Sequence, residues 1–158
     1  MNRFILLLLF FLFKGSLLAQ TSSDVAACLR ACLETPGMKT AFTQEWGELR
    51  PLYLRKREAP GIGNRPTDDA LNQLAAADFQ GLPWEVIPAT REEISQLPAE
   101  EAEFGVLEAS IGFREGQAAA SFFINLPRYP RKWMSCSFLL EKRGAQWAVF
   151  EQSIEVLP

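Results

Sequence analysis

The chain of 158 residues contains no histidine. Every Ser-His-Asp and Cys-His arrangement needs an imidazole to take up and return a proton, so those chemistries are excluded. A Cys28-x-x-x-Cys32 pair is present, but nothing around it supplies the remaining ligands of a zinc site. The expectation is a protein with no metal, no cofactor and no assigned catalytic residue. Positive charge is also in short supply, with 16 Lys and Arg against 19 Asp and Glu. Nucleic-acid binding relies on clustered cations that displace counterions from phosphate, so no nucleic-acid partner is expected. Long apolar runs are missing too. The run from Phe4 to Phe13 has ten residues, whereas a membrane-spanning helix needs about 20.

What that run does resemble is an export signal. In MNRFILLLLFFLFKGSLLAQ, Arg3 supplies the positive start, the apolar run follows, and small residues surround a cleavage point after Ala19. Residues 1–19 are therefore read as a signal peptide, with the protein periplasmic or secreted and no membrane span after cleavage. Val25-Ala26-Ala27-Cys28 resembles a lipobox, in which Cys28 would be acylated and become the first mature residue. Gln20 to Asp24 separate it from the apolar run, however, and Val25 to Leu33 read better as the buried stripe of a helix. Without residues 1–19, which carry Arg3 and Lys14 and no acid, 14 basic residues face 19 acidic ones. Residues 20–158 are enough for one domain with a real core.

Three cysteines are an odd number for an exported chain. Cys28 and Cys32 sit one helical turn apart, an awkward geometry for a mutual bridge. Either could pair with Cys136, closing a loop of about 100 residues worth up to about 5 kcal/mol in the chain-entropy model. The alternative is three small buried apolar side chains.

Along the chain, Ser22 or Ser23 caps a predicted helix over Asp24 to Glu34, with Val25, Cys28, Leu29, Cys32 and Leu33 on one face. Pro36 and Gly37 stop it. The stretch from Met38 onward is compatible with a helix ending near Arg50. GIGNRP, residues 61–66, is a turn, because Pro66 stands where a dinucleotide fingerprint would need its third glycine. A further helix is predicted from Thr67 to Phe79, a short strand in WEVIP, and a short helix in TREEISQLP opened by a Thr90–Glu93 capping box. From Phe104 the period becomes two. Four strands are predicted: one through Leu107 to Phe113, one through Ala118 to Leu126, one through Met134 to Leu140, and one from Gln146 to Leu157. Helices before strands indicate an α+β domain, in which N-terminal helices pack on a C-terminal four-stranded antiparallel meander.

That order, closing on Leu140-Glu141-Lys142-Arg143-Gly144-x-x-Trp147-x-Val149, resembles the NTF2-like (cystatin-like α+β) superfamily, in particular its small exported bacterial members. The likeness is carried by residues 104–157. It implies a helix-covered sheet wrapped into a cone around an apolar pocket used for ligand binding, dimerisation or catalysis. Enzymes of that superfamily use a pocket histidine or aspartate. This chain has no histidine, and Asp24, Asp68, Asp69 and Asp78 all precede the strands, so no catalytic residue carries over.

Four features remain. The loop PRYPRKW sets Arg128, Arg131 and Lys132 around Tyr129 and before Trp133, a combination suited to a carboxylate, phosphate or sugar acid. RPLYLRKRE, residues 50–58, is a second basic stretch that would join the first if the fold brought them together. Glu92, Glu93, Glu100, Glu101, Glu103 and Glu108 could supply a carboxylate enzyme, but read most simply as a solvated surface. Trp133, Leu139, Trp147 and Val149 would leave the outer side of the last hairpin apolar, a basis for homodimer formation. The sequence thus favours an exported, non-catalytic binding or accessory module for a small molecule, peptide or protein. A histidine-free hydrolase or isomerase and a homodimeric assembly protein are the alternatives.

Overall fold

The computed structural model describes residues 22–57, 66–98 and 103–157. The signal segment 1–19, most of the glycine turn at 61–66, and Glu100 and Glu101 lie outside them. The described chain is α+β, with a few helices and an open, mostly antiparallel sheet of six strands.

Helix α1, Ser22–Leu33, begins two residues before the predicted start. Its stripe Val25, Cys28, Leu29, Cys32 and Leu33 is fully buried. Pro36 does more than stop this helix, because it opens α2, Pro36–Trp46. The Thr35 hydroxyl joins the two: it donates to the Cys32 carbonyl at 2.9 Å and accepts from the Met38 amide at 3.3 Å. Proline is well placed in a first turn, where its missing N–H has no partner to lose. Gly47 then ends α2 at a φ of 85°, open to glycine at little cost.

Strand β1, Leu52–Arg55, is not among the expected elements; it follows the point near Arg50 where the helix is expected to end. Pro51 breaks any continuation, and Leu52 and Leu54 are buried while Tyr53 and Arg55 are half-buried, a period of two. The expected helix Thr67–Phe79 is also divided, into α3, Pro66–Asn72, and a 3-10 turn, Ala76–Phe79. Two side chains compete with the helical backbone at the break. The Asn72 amide accepts from the Arg57 N–H at 2.8 Å and donates to the Arg57 carbonyl at 3.2 Å, while the Asp78 carboxylate accepts the Ala75 N–H at 2.8 Å. Strand β2 spans Val86–Ala89, and α4, Arg91–Ser95, carries the predicted capping box.

Strands β3, Gly105–Arg114, β4, Gln117–Asn125, β5, Trp133–Arg143, and β6, Gln146–Leu157, each pair antiparallel with the next. The sheet does not stop at these four. β1 runs parallel to both β3 and β2, giving the order β2-β1-β3-β4-β5-β6. Glu115 and Gly116, at φ of 41° and 79°, make the two-residue turn between β3 and β4, a geometry that matches strand twist.

The inner face of β3 to β5, including Leu107, Ile111, Phe122, Ile124, Phe138 and Leu140, is buried in one cluster with the apolar faces of α1 and α2. Phe122 and Phe138 pack with ring centroids 5.2 Å apart. On the other face α4 covers only one side: Ile94 and Leu97 pack against Phe104 and Val106, beside Tyr53. The rest of that outer face has no helix over it among the described residues.

Because α1 seals the inner face, truncating its central contact should cost most of the cavity penalty. Leu29→Ala is expected to lower stability by about 2–5 kcal/mol. Urea unfolding should show this as a lower midpoint at unchanged slope. A midpoint unchanged from the wild type would contradict the described packing of α1.

Candidate functional site

The predicted site residues meet at one end of the sheet. β4 ends on Asn125, buried Leu126 anchors the chain behind it, and two tight turns follow: the Tyr129 N–H donates to the Leu126 carbonyl at 2.7 Å, and the Lys132 N–H to the Tyr129 carbonyl at 3.0 Å. Pro127 and Pro130 restrict the same turns. The Lys132 ammonium lies 2.6 Å from the Glu45 carboxylate, which ties the loop to the last turn of α2. Lys132 is thereby engaged in holding the loop. Arg128 and Arg131 are exposed and make no ion pair among the described residues.

Trp133 begins β5 and stands on the outer face, 42% exposed, opposite Asn125 on one side and Leu157, 43% exposed, on the other. One row further along, Phe123 is 48% exposed and pairs with Ser135. Phe123, Trp133 and Leu157 therefore share this end of the outer face, and Tyr129, 42% exposed, lies with Arg128 and Arg131 in the adjoining loop. Phe123 and Leu157 did not enter the predicted site. Their signal was the alternation itself: Phe122 faces inward, so Phe123 must face outward.

The apolar face expected of the last hairpin is corrected in two positions. Trp133 and Leu139 do stand outward, but Trp147 and Val149 turn to the helix side, where both pack against the core. A bulge causes this. Leu139 pairs with Glu151 while Leu140 pairs with Val149, leaving Phe150 as the extra residue, 48% exposed. Trp147 instead donates its indole N–H to Asp24 at 3.1 Å, beside the Lys142 ammonium at 3.0 Å.

The second basic stretch does not merge with the first. Leu52 pairs with Gly105, and Val106 pairs with Asn125, so Arg50 and Arg128 leave the same end of the sheet two strands apart, about 10 Å in lateral spacing. Arg50 is only 11% exposed, however, with Glu48 at 3.6 Å. Its Nε and Nη1, like the Trp46 indole nitrogen, are buried and make no hydrogen bond among the described residues. Arg55, Lys56 and Arg57 sit at the opposite end of β1, beside Glu108.

Cys28, Cys32 and Cys136 are free, buried thiols, the reading in which they serve as small apolar side chains. The partner within reach of Cys136 Sγ is Met38 Sδ, at 3.4 Å. Burial pushes the Cys136 thiol up to about 12, and burial raises Cys28 and Cys32 as well. Of the acidic cluster, Glu92 and Glu93 lie exposed in α4, Glu103 is exposed, and Glu108 is held 2.5 Å from Arg55. Thr67 is the buried polar residue among the described ones.

Glu93 is held below its ordinary value of 4.5, first by the Thr90 backbone N–H and then by the Thr90 hydroxyl. A depressed carboxylate contributes stability above 4.5 that is lost as pH falls through the lower folded value. The Thr90 amide resonance should therefore titrate with a midpoint below 4.5 and stop titrating in Glu93→Gln. A midpoint at or above 4.5 would show that the capping box does not hold in solution.

No model of a known protein family, no curated protein and no solved structure matches this chain.

Proposed function

We propose that this chain is an exported, non-catalytic binding module that docks a protein partner through the loop end of its outer sheet face. Tyr129, Trp133, Phe123 and Leu157 are the anchors, and Arg128 and Arg131 form the rim. The observation that carries this reading is the grouping, at that one end, of four of the five exposed large apolar residues among the described ones. Contiguous exposed apolar surface marks contact sites, and Trp, Tyr and Arg are the residues that dominate interface energies. The partner surface is apolar with an acidic border, complementary to arginines that meet no carboxylate among the described residues. A patch spread over the exposed outer face of a sheet suits a protein or peptide better than a small molecule, which needs enclosure.

Export is part of the same proposal and rests on Arg3, the run Phe4 to Phe13 and cleavage after Ala19. Cleavage there leaves α1 whole. Acylation of Cys28 as a first mature residue would instead remove Ser22 to Ala27, taking Val25 from the core and Asp24 from Trp147 and Lys142. Kinship with NTF2-like domains also belongs to this proposal. It is supported by helices that precede four successive antiparallel strands, while a cone around an apolar pocket is the part on which the docking patch does not depend.

The test is site-specific photo-crosslinking in the producing cell. A photoreactive residue replacing Trp133 should give a discrete adduct, and one replacing Glu115, at the opposite hairpin, should not. Combining the probe with Arg128→Ala and Arg131→Ala should reduce the adduct severalfold. Surface changes of this kind shift stability by about 0.5 kcal/mol or less, so unfolding does not account for the loss. An adduct between two copies of this chain would replace the partner by a homodimer, and equal labelling from positions 115 and 133 would overturn the docking patch.

A further inference from the structure

At the other end of β1 lies a cleft of about 130 Å³ lined by Arg55, Lys56, Arg57 and Glu108. It is far too small for a drug-sized ligand, which needs about 300 Å³ or more. A water occupies about 30 Å³ of liquid volume, so the space suits a group of a few heavy atoms. Three successive cations form its walls in a chain whose overall charge is negative.

The arginines are fixed in place before any ligand arrives. Arg55 Nη1 donates to Glu108 Oε1 at 2.5 Å. Arg57 Nη2 donates to the Ala109 carbonyl at 3.2 Å, and the Arg57 backbone is clamped on both its N–H and its carbonyl by the Asn72 side chain. The Lys56 N–H is bonded to the Ala89 carbonyl at 2.8 Å. Each guanidinium thus uses one terminal nitrogen to hold position. Their remaining N–H groups make no other hydrogen bond among the described residues, though Asp68 stands 3.9 Å from Arg57 Nε.

Acidic groups around the cleft limit its charge without removing its donors. Glu108 lies against Arg55, Asp68 stands behind Arg57, and Glu93 is near enough to Lys56 to feel its charge. What remains is a set of forked, oriented donors on a low, partly enclosed floor. Forked guanidinium donors match the paired oxygens of a carboxylate or phosphate.

We propose that this cleft is an oxyanion-binding subsite, with Arg55 and Arg57 as paired donors, Lys56 as the third cation, and Glu108 as the residue that orients Arg55. Its ligand is a single carboxylate or phosphate group. Glu108 costs little repulsion there because its charge is already opposed by Arg55 in direct contact. Glu108 pairs with Phe123 of the Trp133 patch, but Arg55, Lys56 and Arg57 take no part in that patch, so loss of anion binding in their variants and loss of the Trp133 adduct are separate outcomes.

The test uses the chain without residues 1–19, labelled so that arginine Nε–H resonances are visible, and titrated separately with inorganic phosphate, acetate and sodium chloride at matched ionic strength. Phosphate or acetate should shift the Arg55 and Arg57 Nε–H signals saturably, and chloride should not. The probe that saturates at lower concentration identifies the ligand as phosphate or carboxylate. Arg57→Ala and Arg55→Ala should each weaken binding roughly tenfold or more, the scale of a lost charged hydrogen bond. Lys56→Ala, whose side chain makes no ion pair among the described residues, should weaken it severalfold with an unchanged circular dichroism spectrum. Glu108→Gln should weaken it while shifting the Arg55 signal in the free protein. Non-saturating shifts, shifts reproduced by chloride, or equal affinity in Arg57→Ala would overturn the subsite.

Discussion

Helix α1 is the element on which the rest of the structure depends. Its buried stripe supplies the apolar cover of the inner sheet face, but burial alone is non-directional and would tolerate sliding. Directional contacts fix its position. Asp24 near its start receives the Trp147 indole and the Lys142 ammonium from the last hairpin. Arg30 in its last turns donates to the carbonyls of Asp78 and Gln80 at 3.1 and 2.7 Å, and the Trp84 indole caps the Leu33 carbonyl at 3.1 Å. One helix thus ties the end of the chain to its middle, across more than 100 residues of sequence. Removing its first turn would release both the hairpin and the apolar cover.

With the inner face closed, the exposed chemistry is sorted onto the outer one. That face is built in rows. Ser110, Ser121, Ser137 and Ser153 are in register across β3 to β6, with the Glu108–Phe123–Ser135–Glu155 row next to them and the Asn125–Trp133–Leu157 row beyond. Small hydroxyl side chains give the serine row no relief, and the next row carries both Glu108, beside Arg55 of β1, and Phe123, so the charged and the large apolar side chains stand at neighbouring positions on adjacent strands. Sheet register, rather than loop flexibility, sets the distance between the aromatic patch and the cationic cleft.

Much of this arrangement was legible in the sequence, for physical reasons that differ from element to element. The α1 stripe and strands β3 to β5 were readable because one face of each is buried along most of its length, and burial imposes a clean period; β6, which has no fully buried residue, was readable from the turn before it. The Thr90–Glu93 box was readable because it is a purely local hydrogen-bond pair. β1 was not. Four residues offer too few repeats for a period to declare itself, and Leu49, Leu52 and Tyr53 fit helical spacing equally well. The break after Asn72 depends on Arg57, fifteen residues earlier, and the inward turn of Trp147 depends on a bulge opposite Leu139 and Leu140; neither partner is marked in local composition. The loop residues 128–133 were found by type, but that Lys132 would be taken up by Glu45 and that Phe123 and Leu157 would join Trp133 are facts of pairing between distant strands.

The two sheet edges explain why the proposed docking surface is a face and not an edge. β2 at one edge has only four residues, and Pro88 within it carries no N–H to offer an added strand. β6 at the other edge is twelve residues long, a length that would invite pairing if it were regular. It is not regular: the extra residue Phe150 interrupts the ladder, and Glu151 and Glu155 place like charges on the strand that a second copy would have to meet. Both edges therefore resist strand addition by backbone hydrogen bonding. The outer face at the loop end has neither obstacle, and its aromatic side chains do not depend on the ladder for partners. Recognition by side chains across a flat face, rather than by backbone at an edge, is the mode this fold is built to permit.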